Sequence, residues 1–157
     1  MATLKNLSMV IAASVLGASV ASADMAPEAN PFAKYADPAG VVLAVETPFE
    51  GRGAVRLSIY DDEEQFLEEP TAKHQAALNG NGIAILKLGA LTPGTYAFVA
   101  YYDENGDGVL NRGKVLGKPK EPYIFSNGVK PKLRKPNFDE AKIDVVTGSV
   151  IVMTIED

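Results

Sequence analysis

The sequence has no cysteine, no tryptophan and a single histidine, His74. Without thiols there is no disulfide framework, no thiolate nucleophile and no thiolate-bound metal. One imidazole excludes a histidine-rich zinc site, and no spacing around His74 suggests a catalytic triad. The missing indole removes the commonest stacking platform for sugars and choline groups. Ser126 lacks the G-x-S-x-G elbow, and Glu63, Glu64, Glu68 and Glu69 read as a solvated face rather than a glycosidase pair. Catalysis is therefore not expected.

The N-terminus reads as an export signal. Lys5 precedes the apolar run LSMVIAASVLGASV, which is short for a membrane span, and Ala21-Ser22-Ala23 fits a small-x-small cleavage site. Cleavage after Ala23 would place the protein in the periplasm or outside the cell. No later run has membrane length, so no transmembrane segment is expected in the mature chain. Residues 24–39, with Pro27, Pro31 and Pro38, read as a linker or loosely held segment, leaving 40–157 for one domain.

Strand signals dominate that domain. VVLAVE (Val41–Glu46) alternates weakly, and AVRLSIY (Ala54–Tyr60) sends Val55, Leu57 and Ile59 to one side. Asp61 with Glu64 predicts a short capped helix, stopped by Pro70. NGNG at Asn79–Gly82 makes a turn before IAILKLG, and Pro93-Gly94 another before Thr95–Tyr102. That last run is apolar on both faces, as expected of a central strand covered by the core on one side and by loops on the other. KIDVV and SVIVMTIE, separated by Thr147-Gly148, predict a terminal hairpin. The expected fold is all-β: an antiparallel immunoglobulin-like or transthyretin-like sandwich of six or seven strands, with one short helix and a long loop.

Two features carry chemistry. The first is YDENGDGVLN, Tyr102–Asn111. Asp103, Asn105 and Asp107 stand at alternate positions, Gly108 allows the bend, and the Val109 carbonyl and Asn111 follow as further oxygen donors. The spacing predicts a structural Ca2+ site. Its closing position is Lys114 rather than glutamate, so the missing carboxylate must come from elsewhere, and Glu121 is the nearest acid. The competing reading is a plain polar turn, since Asn-Gly and Asp-Gly are ordinary hairpin chemistry.

The second is charge. Removing Lys5 with the leader leaves 14 bases and 20 acids, yet the strip 112–135 holds eight of those bases and one acid. An acidic exported chain is a poor match for nucleic acid. The strip either neutralises itself against the acidic body or meets an anionic partner. Tyr101, Tyr123 and Phe125 flank the acidic loop and could line a groove, so the alternative function is a binding module for a glycan, a peptide or another protein, or an anionic envelope component.

Several blocks carry a family likeness: Pro93-Gly94-Thr95-Tyr96-Ala97, Asp103-Glu104-Asn105-Gly106, Gly117 to Tyr123, and Phe125-Ser126-Asn127. Their order resembles the exported bacterial proteins of domain-of-unknown-function family 2141, over most of 41–156. The resemblance implies a sandwich and no established activity. PGTYAFVAYYD is also similar to the last strand of carboxypeptidase regulatory-type modules, which are non-catalytic.

Overall fold

The computed structural model describes residues 30–113, 118–131 and 134–157. The expected leader (1–23), the first part of the expected linker (24–29), and Lys114, Gly117 and Lys132 of the basic region lie outside the described residues. The compact body is Phe32–Asp157.

Among the described residues eight strands form two sheets: β1 Val41–Glu46, β2 Ala54–Tyr60, β3 Ala72–Ala77, β4 Ile83–Gly89, β5 Gly94–Asp103, β6 Tyr123–Phe125, β7 Lys142–Val145 and β8 Val150–Thr154. One sheet runs β4-β1-β8, and β1 pairs with β8 in parallel. The other runs β3-β2-β5, and the far edge of β5 is shared by β7, opposite Gly94–Ala97, and β6, opposite Val99–Tyr101. All its pairings are antiparallel. The all-β, sandwich-like class expected from the sequence is what the chain adopts.

The core lies between the sheets. Val41, Leu43 and Val45 of β1 and Ala84, Leu86 and Leu88 of β4 pack against Val55, Leu57 and Ile59 of β2 and Phe98 and Ala100 of β5. Alternation along each strand puts these side chains on one face. β5 is covered on its other face too. There Ala97 and Val99 join Tyr60, Phe125, Phe138 and Ala141 in a second apolar cluster, capped by Phe66. The both-sided apolar pattern of Thr95–Tyr102 has its explanation in that second layer.

Three local expectations are corrected. The predicted helix after Asp61 is a series of turns. Asp61 accepts from the Thr71 hydroxyl instead of capping a helix, and Asp62 Oδ1 accepts from Glu64 N at 2.8 Å. The segment has to reverse the chain between the paired strands β2 and β3 while driving Phe66 against Tyr60 and Phe138, at ring distances of 5.2 and 5.7 Å. Leu67 takes φ +68° to do so, unusual for a branched side chain. The one α-helix among the described residues is α1, Phe138–Ala141. Its Asn137 and Glu140 form a capping box.

The terminal hairpin is also absent. β7 joins the five-stranded sheet and β8 the other, so Thr147-Gly148 crosses between layers. Each strand finds an unpaired edge, on β5 and β1 respectively, and Gly148 N donates to Gly40 O at 2.8 Å at the crossing. The third correction is β3, which lies in AKHQAA, a stretch of weak strand formers. Pairing along β2 overrides its composition and lifts the strand count above six or seven.

Candidate functional site

The outer face of the five-stranded sheet carries both predicted features. Register places Arg56, Tyr101 and Tyr123 in one row across β2, β5 and β6, and Ser58, Val99 and Phe125 in the next. Asp103 ends β5, diagonal to Arg56 on the same face.

Asp103 is fully buried, and its carboxylate has every partner it needs. Oδ2 accepts from Arg56 Nε at 2.5 Å and from Gly108 N at 3.0 Å, and Oδ1 accepts from Gly106 N at 2.7 Å. Burial pushes this carboxyl up, but the Arg56 guanidinium and the two backbone donors outweigh it and hold the group below its ordinary value. The same contact raises Arg56. Gly108 has φ +79°, and a Cβ there would lie 3.3 Å from Arg56 Cζ. The glycine is required both for its backbone and for the space it leaves the guanidinium.

The rest of the loop closes on itself. Asn105 Oδ1 accepts from Asp107 N at 3.0 Å, and Asp107 Oδ1 from Val109 N at 2.9 Å. Asn105 and Asn111 each donate a side-chain amide to Asp107 Oδ2 at 2.9 Å, and Asn111 Nδ2 also reaches the Val109 carbonyl at 3.1 Å. The Asn111 contact, before the others, lowers the Asp107 carboxyl. Glu121 does reach this loop: its Oε2 accepts from Asn111 N at 2.9 Å. All six residues singled out for a cation thus occupy one turn and its neighbour. Among the described residues no three acidic or imidazole groups converge as a ready metal-holding cluster.

Beside the loop lies a groove of about 750 Å³. Val99, Tyr101, Tyr123 and Phe125 form its floor, so the three aromatic residues named from the sequence share one concavity. Tyr123 and Phe125 meet edge to face at 5.8 Å. Burial raises the Tyr101 phenol, which keeps it neutral and able to donate. Pro119, Pro131 and Pro136 contribute to the walls, and Arg112, Lys118, Arg134 and Lys135 line the same space. Arg112 and Lys118 arrive there because 111–113 and 118–120 run antiparallel, with Gly113 N donating to Lys118 O at 2.7 Å and Lys120 N to Asn111 O at 2.8 Å.

The basic strip divides in two. Arg134 forks onto Glu140 at 2.7 and 2.8 Å, and Lys130 pairs with Glu156. Among the described residues, none of the ion pairs involves Lys118 or Lys135. Among the described residues no carboxylate lines the groove.

The other side chains weighed from the sequence have structural settings. His74 is half-buried on β3, opposite Leu57. Ser126 is buried, accepting from Phe98 N at 2.8 Å and donating to the Ala141 carbonyl, so it ties α1 to β5. Sequence reasoning missed Arg56, whose only signal was an outward position in an alternating strand, and Lys135, which was one base among eight.

No curated protein and no solved structure matches the chain. The model of a family described as uncharacterized proteins conserved in bacteria, DUF2141, matches residues 44–153, which takes in both sheets, the acidic loop and the groove. The chain belongs to that family.

Proposed function

We propose that this is an exported, non-catalytic binding module that takes an anionic ligand in the groove on the outer face of its five-stranded sheet. The carrying observation is the pairing of an aromatic floor with Lys118 and Lys135, which line the groove with no carboxylate beside them among the described residues. A concavity of this size with a few convergent polar groups is the usual form of a small-ligand site. Because the chain as a whole is acidic, attraction of an anion has to be local. Export is supported by Lys5, the short apolar run and Ala21-Ser22-Ala23. The absence of catalysis is supported by Ser126 and His74, which are set in sheet packing rather than as a nucleophile and base.

The test is calorimetric titration of the purified protein with small anions: a carboxylated oligosaccharide, a sugar phosphate, an acidic peptide and a fatty carboxylate. At least one binds the unaltered protein, and Lys118→Glu/Lys135→Glu weakens it at least tenfold with the melting temperature unchanged. Failure of every anion to bind ends the proposal. Export has its own check: N-terminal sequencing of the protein from cell fractions should begin at Asp24 outside the cytoplasm.

A second reading is a structural Ca2+ in the acidic loop, favoured by the arrival of Glu121 at Asn111. Asn105, Asp107, Asn111 and Glu121 with the Val109 carbonyl would hold the ion, since Asp103 is already committed to Arg56. With Kd about 10⁻⁴ M, roughly 5 mM calcium would add about 2.3 kcal/mol and raise Tm by roughly 5–10 °C, where magnesium would not. Equal melts in calcium and chelator would eliminate this site.

A further inference from the structure

We infer that the ligand of this groove is a monomeric amphiphilic anion, one carboxylate or phosphate head on an extended apolar body. The inference rests on the binding-module reading above and names its ligand class.

Apart from its cations, the polar side chains lining the groove among the described residues are Ser58 and tyrosines, with no carboxylate and no carboxamide. Sugar hydroxyls both donate and accept, and sites that read them need acceptors as well as donors. Three wall positions are proline, which has no backbone N–H to offer. A glycan would therefore exchange many water contacts for few. A peptide added as a further strand is not accommodated here, because that mode uses the main chain of a sheet edge, whereas this floor is a sheet face built from side chains on β2, β5 and β6.

An apolar body matches the floor. Val99 and Phe125 belong to the outer apolar cluster and continue it into the groove, and Leu67 and Leu110 extend the apolar lining. The head matches the other lining groups. Lys118 and Lys135 are exposed and in no ion pair among the described residues, and the neutral Tyr101 hydroxyl supplies a donor beside them. The volume, about 750 Å³, lies within the range of about 300–1,000 Å³ for small-ligand pockets.

Free amphiphile and membrane lipid share this chemistry, and the surface favours the free molecule. Membrane-seated faces push large apolar side chains outward. Among the described residues the exposed large apolar ones are Val109, Val146 and Val152, and none lines the groove.

The experiment titrates the purified protein with decanoate, acetate, decanol and an oligogalacturonate, and separately with phosphatidylglycerol vesicles. Decanoate should bind at least about 100-fold more tightly than acetate, given the free energy of burying methylene groups. Lys118→Glu/Lys135→Glu, placed on exposed side chains so that folding is not at stake, should weaken decanoate at least tenfold. Acetate or oligogalacturonate binding as tightly as decanoate overturns the apolar body and leaves anion binding standing. Decanol matching decanoate overturns the anionic head and the parent reading with it. Binding to vesicles alone assigns the groove to membrane lipid and overturns the inference. Binding of no probe overturns the inference, and the parent reading falls with it when the sugar phosphate and the acidic peptide also fail to bind.

Discussion

The acidic loop and the basic groove lie on one face of one sheet and treat their charges in opposite ways. In the loop the two aspartates are spoken for: Asp103 by Arg56 and two backbone donors, Asp107 by two amides and a backbone N–H. In the groove, Lys118 and Lys135 find no carboxylate partner among the described residues. A satisfied polar network lends its interaction energy to the fold. Charges left over beside an apolar floor add little to stability and are available to a ligand. The loop features that looked most like a site from the sequence are, in the folded chain, mostly engaged with one another, and the less conspicuous basic strip supplies the cations of the proposed groove.

The sharpest way to break this contrast is at Asp103. Asp103→Ala leaves Arg56 and two N–H groups without their acceptor, and should cost about 3 kcal/mol, a fall of roughly 10 °C in Tm by calorimetry. The same carboxylate has a pH signature. Its folded pKa is depressed, so its contribution is fully present above the unfolded carboxylate range and is lost as pH falls through that range toward the folded value. Acid unfolding below about pH 4 should thus be shallower in Asp103→Asn than in the unaltered protein. Parallel curves would remove the carboxylate from the account.

Smaller effects sharpen it. Gly108→Ala should lose about 1–2 kcal/mol from its left-handed backbone, and more than Gly106→Ala, because only at Gly108 would the new Cβ crowd Arg56. Denaturant midpoints of the two variants provide the comparison. The smallest effect on stability belongs to the groove: Lys118→Glu/Lys135→Glu should stay within about 0.5 kcal/mol while anion binding falls at least tenfold. A large loss of stability there would place those lysines in the structural class with Arg56.

Much of the fold was legible because it rests on periodicity and turn chemistry. Val55, Leu57 and Ile59 alternate into the core as read, and the two-sided apolar run of β5 has a covering layer. What escaped depends on partners far away in sequence. AKHQAA becomes β3 because β2 offers it an edge, and Asp61 abandons a helix cap because Thr71 is within reach. β7 and β8 look like a hairpin locally, but the unpaired edges of β5 and β1 separate them. The site follows the same rule. Tyr101, Tyr123 and Phe125 were visible as aromatic residues near a loop, whereas their shared row with Arg56 required strand register. Which bases of 112–135 stay out of ion pairs required the pairings of Lys130 and Arg134 with Glu156 and Glu140.

The most direct measurement is amide chemical-shift mapping of the labelled protein, titrated with decanoate and, in a separate series, with calcium. The account predicts that decanoate moves the amides of Val99, Tyr101, Tyr123 and Phe125 and leaves Gly106 and Gly108 in place. Decanoate shifts centred outside the groove, or no shifts at all, would contradict it.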